Sequence, residues 1–112
     1  MTKYMISFSE GAMDFSEEEL ADVARAAQAV AKEAEDAGAW VFGGGLREHD
    51  GASVVATDGT ITVGPFPKDK ELGGFAVLDV PSLEEALDWA AKFAVACRCT
   101  QEVRGFVPDP PV

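Results

Sequence analysis

The stretch Phe75-Ala76-Val77-Leu78-Asp79-Val80-Pro81-Ser82-Leu83-Glu84-Glu85-Ala86-Leu87 decides the fold of this chain. Phe75 to Leu78 is apolar at every position, which suits a central strand buried on both faces. Ser82, with Glu85 three residues on, forms a capping box that opens a helix. Leu83, Ala86, Leu87, Ala90 and Ala94 then fall on one helical stripe. A strand thus passes directly into an amphipathic helix, and Thr100 to Phe106 reads as the strand that follows it.

The same grammar appears at the other end. Tyr4, Ile6 and Phe8 alternate with Met5 and Ser7 as in a strand with one buried face. Ser16 and Glu19 form a second capping box, and Phe15 with Leu20 form a hydrophobic staple. Leu20, Val23, Ala24, Ala27, Val30, Ala31, Ala34 and Ala37 keep the helical spacing, and Gly38 supplies a left-handed cap. Trp40-Val41-Phe42 reads as a strand that Gly43-Gly44-Gly45 ends. Between the two halves, Ser53 to Thr57 and Thr60 to Val63 flank Asp58-Gly59, a preferred type I′ hairpin turn. The order is β-α-β, a hairpin, then β-α-β. It predicts an α+β, ferredoxin-like antiparallel sheet with two helices on one face. Residues 1–107 form a single domain, and 108–112, with three prolines, an extended tail.

Two helices cover one face of such a sheet. Trp40, Phe42, Val54, Ile61, Phe75 and Val77 make the other face too apolar to stay wet, which predicts a homodimer with sheets face to face. The formal net charge is −11, from 9 basic and 20 acidic residues. It excludes nucleic acid and anionic membranes as partners, since both need a basic footprint. No apolar run reaches the roughly 18–20 residues that span a bilayer, and the opening residues do not read as a signal peptide, so the expected compartment is the cytoplasm. Cys97 and Cys99 form a single C-x-C, read as small, reduced core or edge residues. They fall short of a zinc set, and neither metal nor cofactor is expected. Gly43-Gly44-Gly45 is followed by a hairpin and not a helix, which excludes a phosphate-binding loop.

His49 is the only histidine and sits between Glu48 and Asp50. Asp36 lies in the last turn of the first helix, where the macrodipole disfavours an acid, and Lys32 four residues earlier can offset it. Gly64-Pro65-Phe66, Lys70-Glu71 and Leu72-Gly73-Gly74-Phe75 describe a shaped strand connection or a mobile loop over a pocket, with Lys70 as an anion contact and Gly73-Gly74 allowing close backbone approach.

That last stretch resembles the signature of YCII-related proteins of the DGPF branch, which runs D-G-P-F, a few polar residues, K-E, then L-G-G-F. Strand, helix to Gly38, motif, second helix and final strand fall in the family's order over nearly the whole chain. The resemblance implies a dimeric α/β barrel-like assembly of ferredoxin-like domains with a cleft near the dimer contact, and in some relatives enzymes of small, aromatic-derived molecules with a His–Asp catalytic pair. Asp36 matches the aspartate of that pair. The histidine position is Ala27, and the first residue of D-G-P-F is Val63. An alanine moves no proton. Two functions follow: a small-molecule-binding domain without the family's His–Asp chemistry, or a hydrolase, isomerase or dehalogenase-like enzyme of a small cyclic substrate using Asp36 with His49. Trp40, Phe66, Lys70 and Phe75 are the expected ligand contacts.

Overall fold

In the computed structural model, which describes residues 2–13, 15–64 and 72–108, the strands are β1 (Thr2–Ser9), β2 (Trp40–Gly45), β3 (Ser53–Val55), β4 (Ile61–Val63), β5 (Leu72–Val80) and β6 (Glu102–Gly105). The helices are α1 (Leu20–Asp36) and α2 (Leu83–Cys97). The main sheet has the order β2-β5-β1-β6 with every pair antiparallel, the ferredoxin-like arrangement expected from the sequence. β5 lies between β1 and β2, and Ala76, Val77 and Leu78 are all buried.

Strand alternation assigns the two faces. Ile6, Ala76, Leu78 and Val80 form one core with Ala34, Ala39, Ala86, Ala90 and Phe93. Four of these five helix-borne or helix-flanking positions are alanines, which lets the helices lie close to the sheet and to each other. The buried stripe of α2 runs Ala86, Ala90, Phe93, Cys97, while Leu83 and Leu87 are about half exposed. The expected stripe thus shared Ala86 and Ala90 but was rotated toward the two leucines and omitted Phe93.

Both helix starts are capped where expected, the first as a full capping box. Ser82 Oγ accepts the Glu85 N–H at 3.2 Å. The Glu19 carboxylate accepts the Ser16 N–H at 3.2 Å and its hydroxyl at 3.1 Å, and a 3-10 turn over Glu17–Glu19 leads into α1. Gly38 closes α1 at φ +77°: its N–H reaches the Glu35 carbonyl at 3.0 Å, and the Ala39 N–H reaches the Ala34 carbonyl at 2.9 Å. These paired bonds make a Schellman motif.

Three local expectations change. Gly43-Gly44-Gly45 does not end β2 but belongs to it, paired with Ala76, Phe75 and Gly74 beyond a bulge between Trp40 and Phe42. The Asp58-Gly59 turn is not type I′, which needs positive φ at both residues. Of the two only Gly59 has it (φ +89°), and the Gly59 N–H bonds to the Ala56 carbonyl at 2.9 Å. This is a three-residue loop closed by a glycine bulge, with Asp58 Oδ1 accepting the Thr60 N–H at 2.9 Å. The hairpin β3–β4 forms its own two-stranded sheet, so Val54 and Ile61 do not belong to the face on which Phe42, Phe75 and Val77 sit. The hairpin's Val55, Ile61 and Val63 are exposed.

Cys97 and Cys99 are not in a strand. Cys97 is the buried last residue of α2, and both thiols are free. Between them Arg98 adopts the left-handed conformation at φ 57°, a place that favours glycine. Its guanidinium is held by the Glu19 carboxylate, and Lys92 of α2 pairs with Glu33 of α1. These pairs connect the two helices across their solvent-facing sides. The Arg98 guanidinium, reinforced by the Ser16 N–H and hydroxyl, holds the Glu19 carboxyl below its ordinary value of 4.5. The unfolded chain therefore takes up this proton at higher pH than the folded one. The stability from Glu19 is full above that ordinary value and lost as pH falls through the lower folded one. Melting wild type against Glu19→Gln across that range should show a difference that closes as the medium becomes acidic. A difference independent of pH would contradict the coupling.

Candidate functional site

A cavity of about 350 Å³ lies where β2 and β5 meet the helix layer. That volume falls within the range of about 300–1,000 Å³ that small-molecule sites occupy. β1 contributes Ile6 and Phe8, and α1 contributes Ala27, Gln28 and Ala31. Phe93 and Cys97 come from α2, and Gln101 from the turn after it. From β2 come Trp40 and the three consecutive glycines, and from β5 Phe75 and Ala76.

The local reasons for this shape are visible in the sequence. The bulge after Trp40 keeps the indole on the helix side, where its ring lies 6.2 Å from that of Phe93. Past Trp40 the glycines put no side chain into the space. Opposite them α1 offers alanines. The void is what small residues leave between two layers whose spacing is set elsewhere by Leu78, Val80 and Phe93. Among the described lining residues those with polar side chains are Gln28, Gln101 and Cys97, and the Gln101 amide N–H donates to Cys99 Sγ at 3.3 Å. Burial, and secondarily the nearby Cys99, push the Cys97 thiol above its ordinary value of 9.0, so it is a protonated, weakly nucleophilic group.

The expected site residues are distributed unevenly around this cavity. Trp40 and Phe75 line it. Phe75 borders it from the strand only, for its side chain points to the face of the sheet away from the helices, where the ring meets Phe42 edge to face with centroids 5.7 Å apart. Phe66 and Lys70 lie outside the described residues. His49 is placed in a 3-10 turn over His49–Gly51, and its side chain lies outside the described residues. Asp36 is at the far end of α1, with a side chain 67% exposed and paired to Lys32 at 3.2 Å. It contributes nothing to the cavity lining. The i,i+4 pair is the one expected to offset an acid at a helix C-terminus. Ala27, in contrast, faces the cavity directly.

Sequence reasoning missed Phe93, Cys97, Gln28 and Gln101. Phe93 could have been found by continuing the α2 stripe from Ala86 and Ala90 by the next three residues. Gln28 adjoins the stripe of α1 beside Ala27. Nothing in the pattern marks Gln101.

A family model, the YCII-related domain, matches residues 3–104, from the first strand through the last. The chain belongs to the YCII-related family. Comparison with curated proteins finds no match. Membership spans both helices and all six strands, so the cavity lies wholly inside the YCII-related domain. Among the described residues of this YCII-related chain, no helix is long and apolar enough to cross a membrane.

Proposed function

We propose that this YCII-related protein is a homodimeric domain that binds a small molecule between its sheet and its helix layer. The observation that carries the proposal is the cavity itself. It is of ligand size, walled mainly by apolar and aromatic side chains, and has a few polar groups at its margin, the usual character of a binding pocket. The residue of this chain at the family's histidine position, Ala27, lies in the wall. It adds apolar surface there and no proton-transfer group, which favours binding over acid–base chemistry. Support for the dimer comes from the sheet's other face, where Phe42 is 60% exposed beside Phe75. An exposed phenylalanine continuing onto a half-buried one on a sheet face supports an interface there.

A thermal-shift screen of small uncharged fragments tests the binding reading. A ligand at about 100 times its Kd stabilises the fold by about 2.7 kcal/mol. Hits should raise the melting temperature of wild type and of Asp36→Ala alike, and should lose their effect in Ala27→Leu, which fills the cavity. Loss of the effect in Asp36→Ala with retention in Ala27→Leu would move the site to the end of α1 and overturn the proposal. Sedimentation equilibrium tests the assembly: twice the 11.8 kDa chain mass is expected, reverting to one chain in Phe42→Lys. A monomeric wild type at micromolar concentration would refute the dimer.

A further inference from the structure

The described residues lining the cavity include no Asp, Glu, Lys, Arg or His. A carboxylate, phosphate or ammonium group entering it would leave its hydration shell and meet no counter-charge among the described residues. The Gln28 and Gln101 amides can serve a neutral hydroxyl, carbonyl or amine, because each amide offers both donors and an acceptor.

The glycines of β2 are the second observation. Three in succession weaken a strand, and each calls for a reason. Gly43 has one in the backbone: an added Cβ would lie 2.6 Å from the Phe75 carbonyl oxygen and 2.7 Å from the Ala76 Cα. Gly45 has none. It is paired with Gly74. A Cβ on Gly74 would strike the Phe8 ring, but one on Gly45 would meet nothing within 4 Å. Gly45 also lacks the positive φ that would demand glycine. Paired residues of neighbouring strands point to the same face, so the space in front of Gly45 lies on the side of Phe8 and of the cavity it lines. The side chain missing at Gly45 is therefore room in the cavity, and its absence serves no contact within the chain.

We infer that Gly45, at the exposed end of β2, is the size-determining rim of the cavity, and that the ligand is an uncharged, largely apolar molecule with a hydrogen-bonding group, seated on the backbone there beside Trp40 and Phe93. This rests on the cavity being the binding site.

Calorimetric titration of the full chain with 2-naphthol and with 2-naphthoate tests it, because the two probes share a ring system and differ in charge. 2-Naphthol should bind at least about tenfold more tightly than 2-naphthoate. Gly45→Leu should weaken 2-naphthol by about tenfold or more, with Gly45→Ala giving a smaller loss in the same direction. Melting curves check that both variants are folded. If Gly45→Leu does not fold, the graded loss in Gly45→Ala carries the test. Equal or tighter binding of 2-naphthoate, lost in Ala27→Leu, overturns the charge rule and leaves the cavity as the site. Wild-type affinity for 2-naphthol in the folded Gly45 variants, with loss in Ala27→Leu, overturns the role of Gly45 alone. Binding of neither probe to wild type, or binding unaffected by Ala27→Leu, overturns this inference together with the cavity reading.

Discussion

Replacing Gly43 by alanine is expected to destabilise the fold by about 3 kcal/mol, the upper part of the range for forcing extra volume into a packed interior. The new Cβ would meet backbone: the Phe75 carbonyl oxygen at 2.6 Å and the Ala76 Cα at 2.7 Å, with the Trp40 ring at 3.0 Å on another side. A side chain could rotate away, but β5 cannot. It is the central strand, hydrogen-bonded to β1 along its other edge from Val80 to Leu72. Relief of the clash would require β2 to pull off β5, at the point where the bulge after Trp40 already disturbs the ladder. Gly45→Ala, two residues along the same strand, meets no atom within 4 Å and should stay within about 0.5 kcal/mol of wild type. Urea denaturation of the pair measures the contrast. Equal effects at the two positions would show that the glycines matter only through strand propensity.

Leu78→Ala should cost about 3–5 kcal/mol, toward the top of what emptying a core leucine costs. Leu78 is 0% exposed and lies opposite Tyr4 on β1 and Trp40 on β2. Beneath it the helix layer presents Ala34, Ala86 and Ala90, which are too short to close the hole. Against a total stability of about 5–15 kcal/mol for a domain, that loss leaves little margin. Leu87→Ala provides the comparison, since Leu87 is 49% exposed on the outer side of α2. It should cost no more than about 1 kcal/mol. Equal melting temperatures for the two variants would place the core elsewhere than between β5 and the helices.

The order of elements was readable because its signals are local. Two capping boxes mark helix starts, Gly38 marks a helix end, and alternation or continuous apolarity marks β1 and β5. The hairpin was legible for the same reason, although a dipeptide alone did not distinguish a two-residue turn from the three-residue loop that Gly59 closes. The triple glycine was misread because glycine carries no periodic signal. Only the close approach of β5 explains why Gly43 belongs inside a strand. The left-handed conformation of Arg98 between the two cysteines was not legible, because its residue type does not announce it and the pairing that supports it is with Glu19, 79 positions away.

The candidate site was the least legible part. Trp40 and Phe75 were found through their aromatic character. The cavity itself is made from small residues, and missing volume leaves no motif. Ala27 and Ala31 read as ordinary helix-stripe alanines and Gly45 as a strand exit, until register and layer spacing bring them to one space. Asp36 drew attention because it breaks a local rule of helix ends, and Lys32 answers that break on the surface.

A small uncharged molecule is expected in the space between β2 and the helices. Amide and indole chemical-shift mapping with saturating 2-naphthol tests it most directly. The largest shifts are expected at Ile6, at the Trp40 indole N–H, at Gly43 to Gly45 and at Phe93. Shifts confined to Phe42 and Val77 on the opposite face, or to the hairpin strands β3 and β4, would contradict it.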